Sequence, residues 1–349
     1  MTENKGILIK NIYYMLTYAF QSLKQNSFEE IQAEEFENIH DMFAAILGKG
    51  VSNQLKHGLY RDYSSKMEET AVIHGKINIS ETMKSRMQHK RKITCEYDEL
   101  TENNLMNQIL KTTMLLLLRQ GDVKKKHKAL LKKNLLLFDS IDTIETKSIS
   151  FIRLSFGRGN QSYRMLMNIC SLVLEGLLLS TKQGNVKLAS FLDEQRMCRL
   201  YEKFILEYYR YHHPELSPNP NLISWDSDDG KMDFLPVMRT DITLSNGRKV
   251  LVIDAKYYEK NMQRYYDVNT IHSANLYQIY TYVKNLDKGH TGDVAGMLLY
   301  AKTQKQVQPD YIYSMGGNRV MVKTLDLNLP FHEIERQLER ILECLYEYD

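Results

Sequence analysis

Apolar residues recur at helical spacing through much of the first half of the chain. Ile12, Met15, Leu16, Ala19 and Leu23 mark a helix over residues 11–23, and neighbouring tyrosines widen its stripe. A second helix is expected over 36–57, with Gly58 at the position where a helix stops. Between residues 59 and 97 the rhythm shortens to runs such as Tyr60-Arg61-Asp62-Tyr63, Ala71-Val72-Ile73 and Lys76-Ile77-Asn78-Ile79, which predict small strands or a protruding hairpin. Helical spacing returns over 101–119, with Leu105, Ile109, Thr112 and Leu116 on one face, then over 124–133 and 163–179. Thr181-Lys182-Gln183-Gly184-Asn185 breaks the pattern and sets a boundary, giving domains 1–183 and 184–349.

The second half alternates between the two periods. A helix over 192–211 carries Leu200, Tyr201, Phe204, Ile205 and Tyr208 on one face. Apolar strands follow on either side of Ser245-Asn246-Gly247-Arg248, where Asn-Gly is a strong hairpin signal. A helix over 273–286, strands over 295–300 and 319–324, and a closing amphipathic helix over 331–346 complete the order. The expected fold is mixed α/β: a central mixed sheet flanked by helices, preceded by a mostly helical domain with a small protruding β segment.

Composition narrows the picture only modestly. The 349 residues are 43% hydrophobic and 26% charged, an ordinary globular balance that divides naturally into two domains. A net charge of +3 permits a nucleic-acid partner without requiring one, because local clusters of Lys and Arg decide such binding. Cys95, Cys170, Cys198 and Cys344 are isolated, which argues against a disulfide framework or a zinc site and suits a reducing cytoplasm. No secretory signal precedes residue 10 and no apolar run is long enough to span a bilayer, so a soluble protein away from membranes is expected.

The chemistry concentrates in the hairpin. Thr240-Asp241-Ile242-Thr243 leads into the turn, and Lys249-Val250-Leu251-Val252-Ile253-Asp254-Ala255-Lys256 leads out of it. With Ser245 facing Arg248, Asp241 falls opposite Val252, and Asp254 lies one diagonal step away on the same face, roughly 7–8 Å between Cα atoms. Strand alternation puts Lys256 on that face as well. Two carboxylates so placed can hold a hard cation such as Mg²⁺, and a lysine beside them can act on water or on a phosphate, the needs of phosphodiester hydrolysis. Glu202 on the preceding helix is a further candidate metal ligand, with an ordinary solvated helix acid as the other reading. In the helix after the hairpin, Gln278 and Tyr282 lie one turn apart. The histidines show no metal-binding spacing, and no phosphate-binding Gly-x-x-x-x-Gly-Lys-Ser/Thr loop is present. Lys84, Arg86, Lys90, Arg91 and Lys92 crowd into nine residues, a solvated face or a contact surface.

Asp241, Asp254-Ala255-Lys256 and Gln278-x-x-x-Tyr282 resemble the PD-(D/E)xK nuclease superfamily in its glutamine–tyrosine version, with Arg239-Thr240-Asp241 lacking the proline. More narrowly, four segments resemble the McrC-type nuclease subunits of McrBC modification-dependent restriction systems. They are Ile9-Lys10-Asn11-Ile12-Tyr13-Tyr14-Met15-Leu16-Thr17-Tyr18-Ala19, His74-Gly75-Lys76-Ile77, Glu96-Tyr97-Asp98-Glu99-Leu100-Thr101-Glu102-Asn103 and Ile253-Asp254-Ala255-Lys256-Tyr257-Tyr258. The resemblance implies a DNA endonuclease subunit using Mg²⁺ or Mn²⁺, with Asp241, Asp254, Lys256 and Gln278 catalytic. It implies double-stranded DNA as substrate and a hexameric AAA+ GTPase as partner, GTP being used by that partner rather than by this chain. The amino-terminal domain would engage the GTPase, with Lys76, Lys84 and Arg86 as candidate contacts. A catalytically silent DNA-binding activator of the partner, or a self-sufficient repair nuclease, are the alternatives.

Overall fold

The computed structural model describes residues 3–4, 7–19, 34, 36, 38–89, 92–157, 159–160, 162–182, 194–227, 229–257, 263–265, 268–302 and 308–346. Residues 20–23 of the first expected helix, residues 192–193 of the helix before the hairpin, Lys90, Arg91, Arg158, residues 183–185 and Tyr258 lie outside them. The elements used below are, in chain order, α1 (Ile9–Ala19), α2 (Ile39–Lys56), β1 (Asp62–Thr70), β2 (Lys76–Ile77), α3 (Ile79–Met87), β3 (Ile93–Thr101), α4 (Leu105–Arg119), α5 (Lys125–Leu135), α6 (Tyr163–Lys182) and α7 (Glu194–His212). They continue with β4 (Leu222–Ile223), β5 (Met238–Arg239), β6 (Ile242–Ser245), β7 (Val250–Lys256), α8 (Ser273–Leu286), β8 (Val294–Ala301), β9 (Tyr311–Met315), β10 (Asn318–Leu325) and α9 (Phe331–Tyr346).

The chain divides into two compact units, His40–Leu178 and the combination of Met1–Ile39 with Leu179–Asp349. This differs from a single break at residue 183: the amino-terminal helix is part of the unit that holds the hairpin. Buried polar groups account for the difference. Asn11, 1% exposed, donates from Nδ2 to the carbonyls of Leu327 and Leu329 at 2.7 Å each, so α1 satisfies backbone acceptors just ahead of α9. The Tyr14 ring stacks on Phe331 at 4.1 Å between centroids, and Tyr18 lies edge-on to Phe204 of α7.

In the unit His40–Leu178, α2 and α5 are tied by Asn134, whose Nδ2 donates to the Gly48 carbonyl at 2.7 Å while its Oδ1 accepts from Ser52. The stretch 59–97 is more regular than its short runs suggest. β1 and β3 form a nine-pair antiparallel ladder from Asp62↔Thr101 to Thr70↔Ile93, with β2 on the other side of β3. Ala71-Val72-Ile73 is a turn rather than a strand, and Ile79 begins a helix because Asn78 caps it, accepting from the Glu81 backbone N–H.

The other unit is built on a five-stranded sheet of order β9-β10-β8-β7-β6, in which β8 runs parallel to both β7 and β10 and the edge strands are antiparallel. One face packs Val252, Leu298, Tyr300, Val320 and Val322 against Ile279, Tyr282 and Val283 of α8. Gly296 lets that helix come close: a Cβ there would stand 2.7 Å from Val283 Cγ2 and 2.8 Å from Ile279 Cγ1. The opposite face presents Leu251, Ile253, Met297, Leu299 and Met321, all buried, toward α7 and α9, with α1 packed on α7. Helices on both faces of a mixed sheet make this an α/β unit of the layered kind expected. No helix among the described residues is long and apolar enough to cross a membrane.

Candidate active site

The hairpin register places the acids more closely than simple counting predicts. Ile242 pairs with Ile253 and Ser245 with Val250, so Asp241, one step further out, stands across from Asp254 rather than Val252. The turn is the cause. Asn246 accepts from the backbone N–H groups of Arg248 and Lys249 on its side chain and donates its own N–H to the Lys249 carbonyl. Gly247 supplies a φ of +89°. The connection therefore takes two more residues than a tight Asn-Gly turn, and the whole ladder shifts by two positions.

Each group is then held by an identifiable contact. Asp241 accepts from the Ala255 backbone N–H at 2.9 Å, and its carboxyl lies within hydrogen-bonding reach of Asp254. Asp254 is 1% exposed; the Lys256 ammonium sits 3.0 Å from its Oδ1 and 2.9 Å from its Oδ2. Oδ2 is buried and receives no directed hydrogen bond, only the charge of that ammonium. Gln278 Oε1 accepts from Lys256 at 3.4 Å, and Gln278 Nε2 donates to the Tyr282 hydroxyl at 2.9 Å. The expected convergence of Asp241, Asp254, Lys256 and Gln278 is present, with Tyr282 behind them.

Electrostatics bring Glu202 into the same neighbourhood. Burial, and then the charge of Asp241, push its carboxyl up to about 7, against the pull of Lys256 and Arg199. Burial likewise raises Asp254 and Asp241, with Lys256 opposing it for both. Asp241 and Asp254 both hinder ionisation of Glu202, and Asp241 hinders that of Asp254; such crowding of acids, together with an oxygen lacking a directed donor, fits a site for a hard cation. Among the described residues no three acidic, histidine or cysteine side chains are drawn into a ready cage. The Asp241–Asp254 pair is thus the centre, and Glu202 is its electrostatic neighbour.

Lys76, Lys84 and Arg86 are exposed and lie in the other unit; Lys84 reaches Glu81 at 2.7 Å. Sequence reading did not single out Asn275 and Tyr300. Tyr300 pairs with Lys256 across the parallel strands, and its hydroxyl accepts from Asn275 Nδ2 at 2.9 Å, bracing the first turn of α8 beside the lysine. A buried tyrosine at the end of an apolar strand was the available signal, since its hydroxyl requires a partner.

A mixed sheet with Asp241 across from an Asp254-x-Lys256 strand end and a Gln278–Tyr282 helix over it defines a PD-(D/E)xK-type nuclease fold. The chain belongs to the family described as McrBC 5-methylcytosine restriction system component, which it matches over residues 3–301. It is 27% identical to the type IV methyl-directed restriction enzyme EcoKMcrBC of Escherichia coli strain K12, over 98% of this chain and 99% of that protein. Among solved structures it resembles a chain of the half-complex from the tetradecameric assembly of Thermococcus gammatolerans McrB AAA+ hexamers with bound McrC. That likeness has a TM-score of 0.54 at 20% identity and covers 97% of this chain and 76% of the other, which speaks to the fold.

Proposed function

We propose that this chain is the DNA endonuclease subunit of a GTP-dependent, modification-dependent restriction complex. The observation that carries the reading is the pairing of Asp241 with Asp254 under the Lys256 ammonium, itself held by Gln278. Asp241 and Asp254 would hold Mg²⁺ or Mn²⁺, with Glu202 contributing negative charge beside them. When bound, the cation lowers the pKa of water and offsets charge on the phosphate. Lys256 orients the attacking water and neutralises charge at the scissile phosphate; water adds to phosphorus, the ester P–O bond breaks, and the leaving oxygen takes up a proton. Gln278 keeps the ammonium aimed at the cleft, and Tyr282 keeps Gln278 aimed at the ammonium.

The partner is a hexameric AAA+ GTPase of the McrB type, which supplies the nucleotide chemistry this chain lacks a motif for. Engagement falls to the unit that carries β1, β3 and α3, with Lys76, Lys84 and Arg86 among the contacts. Four cysteines outside any disulfide suit a reducing cytoplasm. The test combines the full chain, the AAA+ partner, GTP, Mg²⁺ and duplex DNA containing 5-methylcytosine. Cleavage should vanish with Asp254→Ala or on chelation, while stimulation of partner GTP hydrolysis persists; cleavage surviving Asp254→Ala overturns the assignment.

A further inference from the structure

Two arginines flank the acid cluster without pairing. Arg199 lies on α7 one turn before Glu202, on the same helix face, and is exposed. Arg239 lies on β5 two residues before Asp241 and is also exposed. Each is close enough for its charge to favour ionisation of the neighbouring acid, Glu202 and Asp241 respectively. Yet neither side chain makes an ion pair or hydrogen bond to any described residue, although a guanidinium beside a carboxylate ordinarily forms a forked pair.

The two are carried by different elements, Arg199 by the helix α7 and Arg239 by the short strand β5. Met238 is buried in the core under α8, and strand alternation turns Arg239 away from it into solvent. Between them the cleft holds three carboxylates against one lysine, a balance that repels a polyanion. A substrate strand entering that cleft needs cationic contacts beyond it, and exposed guanidiniums left free of the local acids supply them in the geometry that suits phosphate.

We infer that Arg199 and Arg239 grip phosphates of the DNA strand beside the bond presented to Asp241 and Asp254. The assignment rests on the nuclease reading above. Binding of the full chain to duplex DNA, measured over a range of salt concentrations with Ca²⁺ in place of Mg²⁺, tests it. Arg199→Ala and Arg239→Ala should each lower the slope of log affinity against log salt by about 0.9, and the double variant by about twice that. The melting temperature should stay unchanged, and Arg→Lys should recover the slope at either position. Slopes equal to that of the unaltered chain, or no duplex binding by that chain, overturn the inference. Cleavage that survives Asp254→Ala would end the nuclease reading while leaving the slopes to stand. Cleavage lost in Asp254→Ala with unchanged slopes in the arginine variants would end the arginine assignment alone.

Discussion

Asp241 is fastened to the strand that carries the other functional groups: its Oδ2 accepts from the Ala255 backbone N–H at 2.9 Å. One carboxylate therefore has two duties, since it holds the end of β6 against β7 and supplies charge across from Asp254. Asn and Ala substitutions separate these. Asp241→Asn keeps an acceptor for Ala255 and removes the charge, so it should abolish cleavage with little change in stability. Asp241→Ala removes both and should be about 1–2 kcal/mol less stable than the Asn variant by denaturant unfolding. Equal stability of the two would show that the tether contributes nothing.

Lys256 occupies the position where its charge competes with a cation for Asp254, 2.9 Å from Oδ2. Replacing it with methionine removes that competitor and leaves a buried carboxylate short of a counter-charge, an arrangement that costs several kcal/mol without a partner. Lys256→Met should bind Mn²⁺ at least as tightly as the unaltered chain in calorimetric titration, while its cleavage falls by about 10²-fold or more, the scale of a lost charge-stabilising contact at a reacting centre. Loss of Mn²⁺ binding in this variant would place the lysine in binding rather than chemistry.

How much of this was readable beforehand follows from the range over which each determinant acts. The hairpin, the helix over 273–286 and the closing helix over 331–346 were visible because their periodicity is local and strong. The hairpin register was not, because Asn246 satisfies two backbone donors and lengthens the turn, a choice made by side-chain geometry rather than by residue type alone. Nor was the placement of α1 with the hairpin unit, which depends on Asn11 reaching acceptors more than three hundred residues away. The edge strand β9 escaped notice because its residues are largely exposed and carry little alternation between buried and solvated positions. Asp241, Asp254 and Lys256 could be grouped in advance because a register shift of two positions leaves their shared face of the hairpin unchanged, whereas Gln278 joined them only through the family resemblance.

Glu202 fixes the sign of a pH dependence. Its carboxyl stands at about 7 against an ordinary 4.5, through burial and then the charge of Asp241. Between those values the folded chain holds a proton that the unfolded chain releases, so this contribution to stability is complete below the lower value and is lost as pH rises through the upper one. Glu202→Gln cannot ionise and escapes that loss. Without divalent cations it should melt above the unaltered chain at about pH 8 and show no such advantage at about pH 4. A difference of the opposite sign at alkaline pH would mean that the ionised carboxylate is stabilised by partners rather than crowded by acids.

Gly296 tests whether the site depends on how closely α8 lies on the sheet. A methyl at this position would meet Val283 Cγ2 at 2.7 Å and Ile279 Cγ1 at 2.8 Å, both in the packed layer beneath the helix. Interiors are too dense to absorb that overlap without moving an element, and such overpacking costs about 1–3 kcal/mol. The element free to move is α8, which also carries Gln278 and Tyr282. Gly296→Ala should therefore lower stability by that amount and also reduce cleavage by about 10-fold, similar to loss of a supporting contact around a reactive group. Gln278→Ala made in the Gly296→Ala background should then cost less activity than it does alone, because the displaced helix no longer presents the glutamine to Lys256. Fully additive losses would show that the helix keeps its place and that Gly296 serves packing alone.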